Sequence, residues 1–104
     1  LSSAFTYAQN GWTICSSPAF MNRVDDLFMV NTETGYAVCG DGKIVKTTDG
    51  GNTWLTLIDD KDTYCRSVEF VDEKTGFAGG FPADYLKPQL GKVLRKTTLA
   101  LDLF

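Results

Sequence analysis

Hydrophobic and polar residues alternate in several short runs along the chain. Lys43-Ile44-Val45-Lys46-Thr47 and Trp54-Leu55-Thr56-Leu57-Ile58 have the period of two that places alternate side chains on opposite faces of a half-buried strand. Leu27-Phe28-Met29-Val30, Tyr36-Ala37-Val38-Cys39 and Val68-Glu69-Phe70-Val71 are similar runs rich in β-branched and aromatic residues. Glycine, asparagine and aspartate clusters separate them. The pattern predicts strands over Asp25 to Val30, Tyr36 to Cys39, Lys43 to Thr48 and Thr53 to Ile58. Gly40-Asp41-Gly42 makes a hairpin turn between the second and third of these.

The unit then repeats. Asn31-Thr32-Glu33-Thr34-Gly35-Tyr36-Ala37 returns as Asp72-Glu73-Lys74-Thr75-Gly76-Phe77-Ala78, an offset of 41 (76−35). Gly42-Lys43-Ile44-Val45-Lys46 returns as Gly91-Lys92-Val93-Leu94-Arg95 after an insertion, Phe81 to Leu90. Strands are predicted at Ser67 to Val71, Phe77 to Gly79 and Lys92 to Thr97. Trp12-Thr13-Ile14 echoes the fourth strand, 42 residues before Trp54 (54−12). This divides the chain into an N-terminal segment, 1–10, and a repeat region, 11–104, with units at about 25–58 and 67–104. A period near 41 with four short strands falls in the range of propeller blades.

The densest motif is Thr47-Thr48-Asp49-Gly50-Gly51-Asn52-Thr53-Trp54. Gly50 and Gly51 offer the positive φ of a tight turn, and Asp49 can fold its carboxylate onto backbone N–H groups. Thr53 leads into a strand, and Trp54 is large enough to lock the turn by packing. The stretch resembles the Asp-box of BNR β-propellers, the bacterial-sialidase type. Residues 25 to 54 are also similar to one repeat of the photosystem II assembly/stability-factor-like repeat proteins. That resemblance implies an all-β chain of antiparallel four-stranded β-propeller blade repeats, about two blades of an incomplete propeller. It also implies a binding or scaffolding role, with Thr47, Asp49, Gly50, Gly51, Thr53 and Trp54 as a structural turn away from any catalytic centre. No second Asp-box follows Lys96-Thr97-Thr98. Plant and cyanobacterial members contact their partner through an arginine-rich patch, whereas Arg23, Arg66 and Arg95 are scattered here.

Two blades cannot close a ring, and a blade face needs a neighbour to cover it. Three solutions follow: a fragment of a longer propeller, a homo-oligomer joined head to tail, or a sandwich of the two sheets. Trp12 to Cys15 forms a lone fourth strand able to complete the second blade.

Composition narrows the chemistry. The net charge of −3 excludes the basic stripe of a nucleic-acid binder, and no apolar run is long enough for a membrane span. Histidine is absent, which removes a His general base and every His-containing metal site. Cys15, Cys39 and Cys65 form no CxxC pair, so no metal and no cofactor is expected. An odd count leaves either one disulfide plus a free thiol or three buried thiols, and burial of all three is favoured because Cys39 continues an apolar strand. Residues 1 to 9 read like the tail of a secretory signal peptide, which points to export to the periplasm, cell surface or medium.

The expected function is a non-enzymatic protein-interaction or assembly module with no catalytic residues and a protein partner. Trp12 and the insertion residues Phe81, Asp84, Tyr85 and Lys87 form the candidate binding surface, since long loops on rigid sheets commonly carry binding. The alternatives are a carbohydrate-binding oligomeric propeller, with Trp12 stacking on a sugar, or a fragment of a sialidase-like glycoside hydrolase. Hydrolysis needs two carboxylates across a scissile bond, or a Tyr nucleophile in sialidases. Asp25-Asp26 and Asp59-Asp60-Lys61-Asp62 are the acidic clusters available, and both read as solvated rims.

Overall fold

A computed structural model describes residues 8–9, 11–15, 23–83 and 91–97. The strands are β1 (Ala8–Gln9), β2 (Trp12–Thr13), β3 (Val24–Met29), β4 (Gly35–Cys39), β5 (Lys43–Thr47), β6 (Leu55–Asp59), β7 (Thr63–Phe70), β8 (Thr75–Pro82) and β9 (Lys92–Thr97). Every pairing is antiparallel. The chain is all-β, with β3-β4-β5-β6 forming a four-stranded meander and β7-β8-β9 a three-stranded one. These are two successive blades in the order the repeat predicts.

The period of two decides the packing. Tyr36, Val38 and Ile44, with Phe28 beside them, face the second sheet, where Cys65, Val68, Phe70 and Ala78 receive them. Ala37, Cys39 and Val45 point the other way and pack with Trp54. Residues 35 to 39 are therefore buried along their whole length, as befits a strand covered on both faces. At the centre of the joint the Tyr36 and Phe70 rings stack with centroids 4.4 Å apart, and Phe28 lies 5.8 Å from Phe70. Gly76 pairs with Phe70 across the ladder, and a Cβ there would stand 2.5 Å from the ring. The repeat glycine thus makes room for the aromatic seat.

Polar contacts clasp the same joint. The Asp26 carboxylate accepts the Leu27 N–H at 3.0 Å and, across the sheets, the Val68 N–H at 2.9 Å. Asn31 Nδ2 donates to Glu73 Oε2 at 3.1 Å, and Arg66 Nε lies 3.8 Å from Asp25 Oδ2. The repeated turns have one geometry: Asn31 Oδ1 accepts the N–H groups of Glu33 and Thr34, and Asp72 Oδ1 those of Lys74 and Thr75.

Three expectations change. The strand β8 continues through Phe81 and Pro82, which pair with Tyr64 and Thr63, so the insertion begins two residues later than the pattern suggested. The segment at Trp12 pairs with Ala8–Gln9 as a hairpin and does not join β9. Among the described residues the second sheet therefore keeps three strands. The third correction concerns the thiols: Cys39 and Cys65 are buried within β4 and β7, but Cys15 is exposed, because it follows β2, outside both larger sheets.

Candidate functional site

The turn between β5 and β6 brings all six motif residues together. Gly50 and Gly51 have φ of 72° and 96°, values that L side chains rarely adopt. Asp49 Oδ1 accepts the Thr53 N–H and the Thr47 hydroxyl, each at 2.8 Å, while Oδ2 accepts the Thr53 hydroxyl at 2.6 Å. Thr47 Oγ1 accepts the Gly51 N–H at 2.9 Å. These bonds, the Thr53 hydroxyl first, hold the Asp49 carboxyl well below its usual range, at about 2. Trp54 Nε1 donates to the Gly51 carbonyl at 3.1 Å and its ring covers Ala37, Cys39 and Val45. The Gly50 N–H reaches the Glu33 carbonyl at 2.9 Å, tying this turn to the repeat turn beside it. Both carboxylate oxygens and the indole N–H are engaged in holding the hairpin.

The acidic clusters are engaged as well. Asp25 pairs with Arg23 at 2.9 Å, and Asp26 holds backbone across the joint. Asp60 Oδ1 accepts the Asp62 N–H and Oδ2 the Thr63 hydroxyl, both at 2.9 Å. Asp59 meets Lys61 at 3.3 Å. Lys43 donates to Asp41 at 2.6 Å and lowers the Asp41 pKa. Among the described residues no three ligating side chains are grouped for a metal ion. Burial, ahead of the nearby Asp41 charge, raises the Cys39 pKa and keeps it a thiol.

Of the candidate binding residues, Trp12 is 80% exposed. Phe81 is half-buried, edge-on to Tyr64 with centroids 5.9 Å apart. The two lie on different sheets, and Asp84, Tyr85 and Lys87 fall outside the described residues. The residues that sequence reasoning missed line an open groove of about 360 Å³ at the end of the joint, between Met29 and Val30 on one side and Val71, Asp72 and Glu73 on the other. Its signal was the 41-residue offset of Met29 and Phe70, but only the packing of one blade on the next creates it.

Stacked antiparallel sheets, repeated turns and an aromatic joint define this chain as a pair of adjacent β-propeller blades. No family model matches it. Among solved structures it is similar to YCF48 from Cyanidioschyzon merolae, with a TM-score of 0.56 and 24% identity over 71% of this chain and 21% of that one. Among curated proteins it is similar to the photosystem II assembly lipoprotein Ycf48 of Trichormus variabilis (strain ATCC 29413 / PCC 7937), 35% identical over 68 residues, 62% of this chain and 20% of that protein. The chain spans about a fifth of the length of each.

Proposed function

We propose that this chain is a non-enzymatic protein-interaction or assembly module built from propeller blades, working in the assembly of a photosystem II-like complex. The observation that carries this reading is its 35% identity to a photosystem II assembly lipoprotein. The absorption of the Asp-box and the Asp25, Asp26 and Asp60 carboxylates into structural bonds supports a non-catalytic role. In this reading residues 1–10 are an export remnant, residues 11–104 are the repeat region, and the protein acts outside the cytoplasm. The contact surface comprises Trp12, Phe81, Asp84, Tyr85 and Lys87, joined by the groove at Met29 and Val71. The test is binding of the purified chain to isolated photosystem II assembly complexes by surface plasmon resonance, against Trp12→Ala and Val71→Asp variants. Saturable binding weakened by either variant is expected; no binding, or hydrolysis of a sialoside by the chain, refutes the reading. The exposed indole of Trp12 also favours a second reading, stacking on a sugar ring, which a glycan array tests directly.

A further inference from the structure

We infer that the groove at the end of the joint takes a protein segment in which a large apolar side chain stands next to a lysine or arginine. The inference rests on the groove's place in the proposed contact surface, and it adds the chemistry that the groove recognises.

The groove belongs to the joint itself. Phe28 to Val30, at the end of β3, form one wall, and Phe70 to Glu73, at the end of β7 and in the turn after it, form the other. Phe70 is part of the core of the joint, and Phe28 and Val30 pack against that core. The floor is therefore apolar and fixed by the contact between the two sheets. Met29 adds an unbranched thioether, a side chain that adapts its shape to a guest. The volume of about 360 Å³ lies at the lower end of the roughly 300–1,000 Å³ of ligand clefts. It suits a pair of side chains from an extended segment.

The charge at its rim selects the guest. Among the described residues Asp72 and Glu73 are held by neutral donors. The Lys74 and Thr75 N–H groups reach Asp72 Oδ1 at 2.7 and 2.8 Å, and the Asn31 amide reaches Glu73 Oε2 at 3.1 Å. Asp25, Asp41 and Asp59 each meet an arginine or a lysine instead. Lys74 is exposed and does not line the groove. Nor does the turn require the two charges. One repeat earlier Asn31 and Thr32 stand in the places of Asp72 and Glu73. There Asn31 Oδ1 accepts the Glu33 and Thr34 N–H groups in the same geometry. The second unit keeps the turn and adds two negative charges beside an apolar floor.

A lysine or arginine matches that combination, because its aliphatic stem lies along apolar surface while its charged head reaches the polar edge. An apolar neighbour in the same segment fills the rest of the floor. A segment carrying carboxylates there is repelled, since like charges would face each other.

The test is a titration of the full chain, isotopically labelled, with short peptides of equal length, followed through its backbone amide signals. One peptide pairs leucine with lysine, one leucine with glutamate, and one serine with lysine. Each is taken to about 5 mM, a span that covers millimolar affinities. The leucine–lysine peptide should shift the signals of Met29, Val30 and residues 71–74 saturably, and the other two should bind at least several-fold more weakly. Asp72→Asn combined with Glu73→Gln keeps an acceptor oxygen on both side chains and removes both charges. It should weaken the leucine–lysine peptide by about three- to tenfold, the worth of two exposed charge contacts, and remove the salt dependence that the wild type shows. If this pair misfolds, Glu73→Gln alone carries the test, with a loss of about twofold. Equal binding of the leucine–glutamate peptide, a charge-free variant that binds as the wild type does, or no localised shift at about 5 mM overturns the inference. So do the same shifts on raising the concentration of the chain alone, which would make a second copy the occupant. Assembly complexes that bind the chain and lose affinity to Val71→Asp, beside silent peptides, would remove this inference and leave the contact-surface reading in place. Failure of both would remove both.

Discussion

Replacing Phe70 with alanine tests whether the aromatic joint is what holds the two blades together. Phe70 is 6% exposed, stacked on Tyr36 at 4.4 Å and flanked by Phe28 at 5.8 Å. A buried phenyl ring removes on the order of 150 Å² or more from water, worth about 4 kcal/mol at roughly 25 cal/mol per Å². The stack adds about 0.5–1.5 kcal/mol. An unfolded chain that already hides part of this surface lowers the sum, which places the loss in the roughly 3–5 kcal/mol range typical of Phe→Ala in a core. A domain of this size holds about 5–15 kcal/mol in total, so the variant should retain strands but unfold at much lower urea. Urea denaturation followed by tryptophan fluorescence and circular dichroism measures this. A double cycle with Tyr36→Leu isolates the ring–ring coupling, expected at about 1 kcal/mol. A loss below about 1 kcal/mol with an unchanged urea dependence would show that Phe70 does not organise the joint.

Three further outcomes are expected. Asp49 has a folded pKa of about 2 against an ordinary 3.8, so the unfolded chain binds its proton first. Its contribution is complete above about pH 4 and fades towards pH 2; melting curves should show a shallower acid slope for Asp49→Asn than for the wild type. Gly42 has φ of 91°, and a Cβ would run into the Asp60 carbonyl, so Gly42→Ala should sharply lower the melting temperature, and an unchanged value would contradict the turn geometry. Asp26→Ala strands the Val68 N–H and should cost about 1–3 kcal/mol, with Asp26→Asn milder because an amide oxygen still accepts; equal losses would remove the hydrogen bond from the explanation.

Most of the architecture is legible in the sequence because it is local. Alternation from Lys43 to Thr47 specifies a two-faced strand whatever lies beyond it. Asp49 and Thr53 specify their turn because the side-chain bonds they make lie within seven residues, Thr47 to Thr53. The 41-residue offset likewise exposes the repeat. The extents of β7 and β8 were less legible, since Tyr64 and Phe81 become strand residues only by pairing with each other.

What only tertiary structure decided is which copy of a repeated residue is covered. Tyr36 and Phe77 hold the same position in their units, yet one is 2% and the other 39% exposed. Asp25 and Asp26 look like a solvated rim in one dimension, but the second sheet brings Arg66 and the Val68 N–H to them. The reason is physical: strand and turn formation depend on neighbours a few residues away, whereas burial depends on which surface another sheet occupies. A sequence repeat states that such a joint exists, and the fold chooses where it is filled.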